Sequence, residues 1–177
     1  MTAVIPGRPD ADEYAPYYHT YIEKVDGDHP VAALARQTLR AFAVYDAIDP
    51  GKAGYRYAPD KWSVQEVIGH VTDAERVFAF RALWFARGDT NPLPGFDENA
   101  WVPAASFGQV ALADVVHALR TQREATLSML RTFDAGAWTR RGTANGKVMS
   151  VRALAFVIAG HEAHHLGVLR ERYGVGA

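Results

Sequence analysis

A long proline- and glycine-rich segment, GDTNPLPGFDENAWVPAASFG (residues 88–108), interrupts a chain that otherwise repeats apolar residues at helical spacing. Connections inside compact domains usually have about 4–6 residues, so a segment of this length needs a structural reason. The helical stretch that precedes it would span about 37 Å at 1.5 Å per residue. A long crossover can return the chain along that length, so that the next helix runs parallel to the preceding one.

Four segments show the apolar spacing of long helices. They run from about His29 to Ile48, from Ser63 to Arg87, from about Gln109 to Phe133, and from Ser150 to Tyr173. The start of the second segment, Ser63-Val64-Gln65-Glu66, fits a capping box in which both polar side chains satisfy backbone N–H groups. Asn145-Gly146 indicates a small hairpin before the fourth segment. The short connection there makes the fourth helix antiparallel to the third.

The segments together predict an all-α fold, a four-helix bundle with a long crossover between helices 2 and 3 and little or no strand. We expect residues 1–177 to form a single domain, because this length can bury a full apolar core. The aromatic-rich stretch EYAPYYHTYIEKV near the N-terminus predicts a short helix that lies over the bundle.

The composition excludes several classes of function. The chain has 19 basic and 20 acidic residues, a formal net charge of −1, which gives no electrostatic basis for binding nucleic acid or an anionic membrane. It has no cysteine, which excludes disulfides, thiolate metal ligands and a thiol nucleophile of its own. The N-terminus lacks the pattern of a secretory signal, and no apolar run reaches the length of a membrane span. We therefore expect a cytoplasmic protein.

Three histidines occupy apolar-seam positions of two predicted helices: His70 in the second, and His161 and His165 in the fourth. Histidines four residues apart share one helix face, and a third from a neighbouring helix can complete a metal-binding triangle. A buried polar group without a partner costs about 1–3 kcal/mol, and a shared metal would satisfy all three rings. We predict that these residues bind one divalent metal and leave coordination positions open. The alternative is three hydrogen-bonded core histidines. His164 falls on a neighbouring face.

Neutral nitrogen ligands favour zinc, nickel, copper or iron over magnesium and calcium, and we expect zinc or nickel. Glu66 and Asp73 lie four residues before and three after His70, so either carboxylate can orient that ring or exchange protons. Asp73 is the candidate catalytic residue. Arg81, on the same seam, can bind an anionic substrate group or pair with a buried carboxylate.

Two segments carry a resemblance to a known family: KWSVQEVIGHVTDAERVFAFRALWFARGDTNPLPGF and, much later, GHEAHHLGVLRERY. Over about residues 9–173, the chain resembles the DinB/YfiT-like superfamily of metal-dependent proteins. The resemblance implies a four-helix bundle, commonly a homodimer, in which three histidines hold a divalent metal. His70, His161 and His165 match those ligand positions. Some members use or transfer low-molecular-weight thiols such as bacillithiol or mycothiol, and others are described as metal-dependent hydrolases.

The resemblance favours a transferase in which an external low-molecular-weight thiol, activated at the metal, attacks a small-molecule substrate. The absence of cysteine is compatible with a thiol supplied from outside. A hydrolase that uses metal-bound hydroxide is the first alternative. A non-enzymatic, stress-associated bundle that binds metal for folding or assembly is the second. All three functional interpretations use the same three-histidine site.

Overall fold

The computed structural model describes residues 7–176. Residues 1–6 and 177 lie outside this range, and so does the first part of the N-terminal stretch that lacks a secretory-signal pattern. The helices are α1 (His19–Ile22), α2 (Pro30–Asp46), α3 (Val64–Ala86), α4 (Glu98–Ala105), α5 (Leu112–Leu130), α6 (Ala135–Thr139) and α7 (Val151–Tyr173), and the strands are β1 (Arg141–Ala144) and β2 (Lys147–Ser150). Single 3₁₀ turns occur at Ala11–Glu13, Pro16–Tyr18, Pro50–Lys52 and Phe107–Gln109. Within residues 7–176, no helix is both long and apolar enough to cross a bilayer.

Local side-chain bonds define the ends of the long helices. Ser63 Oγ accepts a hydrogen bond from the backbone N–H of Glu66 at 3.3 Å, and the Glu66 carboxylate accepts one from the backbone N–H of Ser63 at 2.7 Å. These two bonds confirm the predicted capping box. At the start of α7, Ser150 Oγ accepts a single hydrogen bond from the backbone N–H of Ala153 at 3.0 Å, and Gly174 ends that helix at a φ of 62°.

Contacts at one end of the bundle establish the direction of its helices. The Tyr173 hydroxyl donates to the carbonyl oxygen of Trp62 at 2.6 Å, which places the end of α7 at the start of α3. Gln65 donates to the carbonyl oxygen of Phe107 at 3.0 Å, so α5 begins beside the start of α3. Helices α3 and α5 are therefore parallel, and α7 is antiparallel to both, which confirms the predicted bundle and crossover.

The crossover differs from the prediction in containing helix α4 and a 3₁₀ turn. Because Val110 and Ala111 have extended backbone, α5 begins at Leu112 rather than at about Gln109. Leu93, earlier in the crossover, pairs with the hairpin: its N–H donates to Thr143 O at 2.9 Å, and its carbonyl accepts from Asn145 N at 3.0 Å. The crossover is thus fastened to the hairpin.

The hairpin itself was predicted correctly. Strands β1 and β2 pair antiparallel with Arg141 opposite Ser150. Asn145 and Gly146 both have positive φ, 51° and 68°, as the two central residues of a type I′ turn require.

A buried polar layer divides the apolar core into two clusters. Glu75 is 1% exposed, and Arg123 and Glu162 are fully buried. The guanidinium of Arg123 donates to Glu75 Oε2 at 2.8 Å and to Glu162 Oε2 at 2.9 Å. One apolar cluster lies on each side of this layer, the first including Phe85, Leu130 and Leu154 and the second including Val67, Leu119 and Leu169. The layer therefore joins α3, α5 and α7 in the middle of the bundle.

Glu13 anchors the N-terminal segment to α7. Arg152 Nε donates to Glu13 Oε2 at 2.7 Å, and the Glu13 side chain is 3% exposed. Burial alone would raise the pKa of Glu13, but hydrogen bonds from Arg152 and Ser150 outweigh it and lower the pKa to about 2. The anchor is therefore ionised at neutral pH.

The Glu13→Gln variant is expected to lose about 1.5–3 kcal/mol of stability at pH 6, because a charge-assisted interaction is removed. The pKa of Glu13 in the folded state is below the ordinary value of 4.5, so this stabilisation is complete above pH 4.5 and is lost as the pH falls toward 2. Urea unfolding of both proteins between pH 6 and pH 2.5 measures the difference. A difference that does not shrink over this range would contradict the assignment.

Candidate metal centre

Helices α3 and α7 bring the three predicted histidines together. His70 Nε2 lies 3.1 Å from His161 Nε2, and His165 Nε2 lies 3.2 Å from the same atom. One ligand atom from each ring lies within 4.8 Å of the others. Antiparallel packing produces this convergence, since it places the beginning of α3 beside the second half of α7.

The spacing of the three nitrogens suits a single transition-metal ion. Metal–nitrogen bonds of about 2.0–2.1 Å separate two ligands by roughly 3.3 Å at a tetrahedral angle and roughly 2.9 Å at a right angle. The observed 3.1 and 3.2 Å fall between these values. Hydrogen bonding explains the arrangement less well, because His161 Nε2 takes part in both contacts and one ring nitrogen cannot both donate and accept. A shared metal would use all three lone pairs.

Burial keeps the three imidazoles neutral. Desolvation lowers the pKa of His70 to about 4 and that of His161 to about 3. It also lowers the pKa of His165 well below its ordinary value, and the neighbouring histidines add to the effect. A divalent metal needs deprotonated ligands, which these rings provide at neutral pH. Three neutral ligands leave the metal charge uncompensated and so favour an anionic fourth ligand.

A cavity of about 370 Å³, which is large enough for a small molecule, lies beside the triad. His70 and His161 contribute to the wall of this cavity. The N-terminal segment, α3, the crossover and the hairpin contribute the remainder, including Tyr18, Tyr21, Phe78, Arg81, Phe96 and Lys147. The fastening of the crossover to the hairpin therefore also shapes the cavity.

Aromatic rings enclose the histidines. The Tyr21 ring lies edge-on to His161 with 5.3 Å between centroids, and Phe78 contacts the same imidazole at 5.9 Å. The ring centroids of Trp62 and His70 lie 4.8 Å apart. These apolar neighbours limit the water around the triad and strengthen electrostatic interactions within the cavity.

The two carboxylates that were predicted near His70 have other partners. Asp73 accepts a hydrogen bond from Arg76 at 2.9 Å and lines a neighbouring groove, which shares Arg81 and Phe96 with the cavity. Glu66 is engaged by the backbone N–H of Ser63 and by Arg56. Glu66 is therefore a capping residue. The catalytic role of Asp73 stays a prediction; its charge partly offsets the effect of burial on the pKa of His70.

His164 lies beside the triad and is only partly buried, and its ring packs edge-on against Tyr21 at 5.5 Å. This position agrees with the neighbouring face predicted for it. His165 has an unusual environment, because its Nδ1 is buried and has no hydrogen-bond partner among residues 7–176. Ligand histidines usually donate their second ring N–H to an acceptor, so His165 lacks this support in the described part of the chain.

The sequence did not predict that Tyr18 and Tyr21 line the cavity, although it predicted the helix that carries Tyr21. The residue that indicates this contact is Gly160, immediately before His161, because a Cβ atom there would collide with the backbone carbonyl of Tyr21. Glycine thus allows α1 to approach α7 closely enough to place Tyr21 against His161.

Gly160→Ala is expected to destabilise the protein by about 1–3 kcal/mol through overpacking. Gly167 is a matched control on the same helix, where a Cβ would meet no atom within 4 Å. Gly167→Ala should instead stabilise the protein by about 0.5–1 kcal/mol, because alanine favours the helix. Urea unfolding compares the two variants, and equal stabilities would show that the contact with Tyr21 is not restrictive.

Comparisons with known proteins agree with this fold. The sequence profile of the DinB superfamily matches residues 33–169, a range that contains all three histidines. No significant match is found among curated proteins.

Two solved structures share the fold. YfiT from Bacillus subtilis, described as a probable metal-dependent hydrolase with an unusual four-helix bundle topology, has a TM-score of 0.67 and 14% sequence identity, covering 99% of this chain and 98% of its own. The mycothiol-dependent maleylpyruvate isomerase has a TM-score of 0.66 and 14% identity, covering 90% of this chain and 64% of its own. Identities this low establish the fold alone. The profile match over most of the chain establishes the family: the protein belongs to the DinB superfamily.

Proposed function

We propose that the protein is a metal-dependent enzyme that transfers a low-molecular-weight thiol to a small electrophile. The convergence of three neutral histidine nitrogens, two of them from residues that line a cavity, is the observation that carries this proposal. A divalent metal bound there would supply Lewis acidity, which lowers the pKa of a coordinated thiol. The chain has no cysteine, so the thiol must come from outside.

The protein's residues hold and enclose the reactants. His70, His161 and His165 would fix the metal, while Tyr21 and Phe78 restrict water beside the reacting sulfur. In the reaction, a bond forms between the thiol sulfur and an electrophilic carbon, and the bond from that carbon to its leaving group breaks. The leaving group departs with the electron pair, and the thiol proton passes to solvent.

A hydrolase is the second candidate, because YfiT is described as a probable metal-dependent hydrolase. Hydrolysis commonly uses an acid or base that protonates the leaving group. Among residues 7–176, Glu98 is the only carboxylate that lines the cavity, and Asp73 is paired with Arg76 outside it. A metal-bound hydroxide and a metal-bound thiolate both act without a general base, so this lining suits either reaction. The fold shared with the mycothiol-dependent maleylpyruvate isomerase is what favours the thiol reaction.

Kinetic assays separate the candidates. The zinc- or nickel-loaded protein is mixed with bacillithiol, mycothiol or cysteine and with 1-chloro-2,4-dinitrobenzene, and p-nitrophenyl acetate serves as a hydrolase substrate. We expect thiol arylation that requires metal and disappears in a folded His70→Ala variant. Ester turnover without thiol would support the hydrolase. Turnover in neither assay, together with melting on metal removal, would favour the non-enzymatic bundle.

The native metal and the assembly state complete the proposal. We expect zinc or nickel, which elemental analysis of untagged protein purified without added nickel can identify. We also expect a homodimer, and the exposed Phe80 and Trp101, 50% and 43% accessible, offer apolar surface for one. Light scattering measures the mass in solution.

A further inference from the structure

Arg81 is a buried cation at the wall of the cavity, and it has no carboxylate partner in the described part of the chain. Its side chain is 3% exposed, yet no ion pair involves it within residues 7–176. The other two buried arginines in this part of the chain, Arg123 and Arg152, both pair with glutamates. The sequence left two roles open for Arg81, and pairing with a buried carboxylate is not the one observed.

The contacts of Arg81 orient its guanidinium without neutralising it. Nη2 donates to the carbonyl oxygen of Pro94 at 2.8 Å, and Cζ lies 5.8 Å from the ring centroids of both Phe78 and Phe96. Arginine stays protonated in proteins, so this buried charge is costly unless an anion compensates it. A guanidinium presents planar donors that match a carboxylate in a bidentate arrangement.

The position of Arg81 relates it to the metal centre. It follows His70 by eleven residues, about three helical turns, so both side chains lie on one face of α3. Phe78 connects the two sites, because its centroid is 5.8 Å from Arg81 Cζ and 5.9 Å from the His161 ring. The guanidinium and that imidazole can therefore be no farther apart than the sum of these distances. One small molecule can reach both.

The rest of the cavity supports the binding of an anion. Lys147 of the hairpin adds a second cation at the wall, against the single carboxylate of Glu98. Phe78 offers apolar surface between the charged end and His161, whereas Tyr18 and Phe96 lie beside Arg81 itself. The cavity thus combines a metal centre, an apolar middle and a cationic end.

We propose that Arg81 determines substrate specificity by binding a carboxylate of the molecule that occupies the metal cavity. The carboxylate lies at the end remote from the reacting atom, and it belongs either to the thiol or to its acceptor. The identity of the reacting group rests on the proposed thiol transfer, whereas the carboxylate subsite does not.

Thiols of graded length test this assignment in the cobalt-substituted protein. The probes are 3-mercaptopropionate, 6-mercaptohexanoate and 8-mercaptooctanoate, each compared with the ω-mercapto alcohol of equal length. The thiolate–cobalt charge-transfer band reports sulfur binding at the metal. At a chain length that spans the cavity, the acid should bind at least about tenfold more tightly than the alcohol. At the shortest length, the acid should have no such advantage. Equal affinity at every length in the wild-type protein would exclude Arg81 as a partner of the thiol's carboxylate.

Arginine variants assign the preference to one residue. Arg81→Met should abolish the preference for the acid while the alcohols bind as before. Arg87→Met is the matched control, since Arg87 ends the same helix, lies over the Phe133 ring at 5.7 Å and does not line the cavity. It should keep the preference, and a preference that survives in Arg81→Met would overturn the proposal. If Arg81→Met fails to fold, Arg81→Lys and the wild-type length series decide instead.

A thiol-free measurement separates this inference from the proposed function. Calorimetry compares 6-phenylhexanoate with 6-phenyl-1-hexanol, in the presence and absence of a bound mercapto alcohol. If no thiol changes the cobalt spectrum, thiol transfer fails, and this comparison alone decides the role of Arg81. Binding of the phenyl acid beside the mercapto alcohol would place the carboxylate on the acceptor. Equal affinity for acid and alcohol here and in the thiol series would overturn the carboxylate subsite.

Discussion

The His161→Ala variant is expected to stay folded and to bind zinc or nickel more than about 100-fold more weakly than the wild-type protein, since even replacing a residue that only hydrogen-bonds to a metal ligand costs about 10–100-fold. His161 is the central ligand of the triad, because its Nε2 lies 3.1 Å from that of His70 and 3.2 Å from that of His165. Without it, two nitrogens remain, and the metal loses its central protein ligand.

Competition with a chromogenic chelator measures the affinity, and elemental analysis measures the stoichiometry. His164→Ala is the matched control, since His164 is on the same helix and packs against Tyr21 outside the triad. It should retain the metal. Full stoichiometry in His161→Ala, or equal loss in both variants, would show that these rings are core histidines.

The His161→Ala variant also tests whether metal binding at the triad stabilises the folded protein. A ligand present at 100 times its dissociation constant stabilises the native state by about 2.7 kcal/mol when it does not bind the unfolded chain. Saturating zinc should therefore raise the melting temperature of the wild-type protein and of His164→Ala, but not that of His161→Ala. A rise in all three proteins would indicate a metal site elsewhere in the chain.

The sequence predicted the features that depend on local chemistry and on periodicity. Ser63 and Ser150 identify helix starts through their own backbone bonds, and Asn145-Gly146 identifies a turn that few other residue pairs can form. The histidine triangle was also predictable, because the crossover determines the direction of the helices and polar rings on an apolar seam need partners. Each of these inferences needs only one segment of the chain, or the order of successive segments and the lengths of their connections.

Features that depend on several helices at once were not predictable. Arg123 is an arginine on a long helix, where such residues are usually exposed, and its burial requires two glutamates from other helices. Tyr21 reaches His161 only because Gly160 lacks a side chain. Whether Arg81 forms an ion pair depends on which carboxylates the fold brings near it, and none within residues 7–176 pairs with it. Spacing along one helix contains none of this information.

Arg123→Met is expected to lower the free energy of unfolding by about 3–5 kcal/mol, the usual cost of breaking a buried ion pair from one side. The two glutamates would remain, 1% and 0% exposed, without the cation that binds them. Burial alone would lower the pKa of Arg123, but the charges of Glu162 and Glu75 outweigh it and raise the pKa, so the wild-type side chain is a cation. The expected loss is a large part of the total stability of a typical domain.

Arg120→Met is the matched control, because Arg120 lies one turn earlier on α5 and pairs with the exposed Asp46 at 2.8 Å. Arg120→Met should lower the free energy of unfolding by less than about 1 kcal/mol. Combining Arg123→Met with Glu75→Gln and Glu162→Gln should recover much of the stability, since no unpaired charge is left buried and the volumes are similar. Urea unfolding compares the four proteins. If Arg123→Met costs no more than Arg120→Met, the layer does not hold the helices together; if the triple variant recovers nothing, lost packing rather than unpaired charge explains the effect.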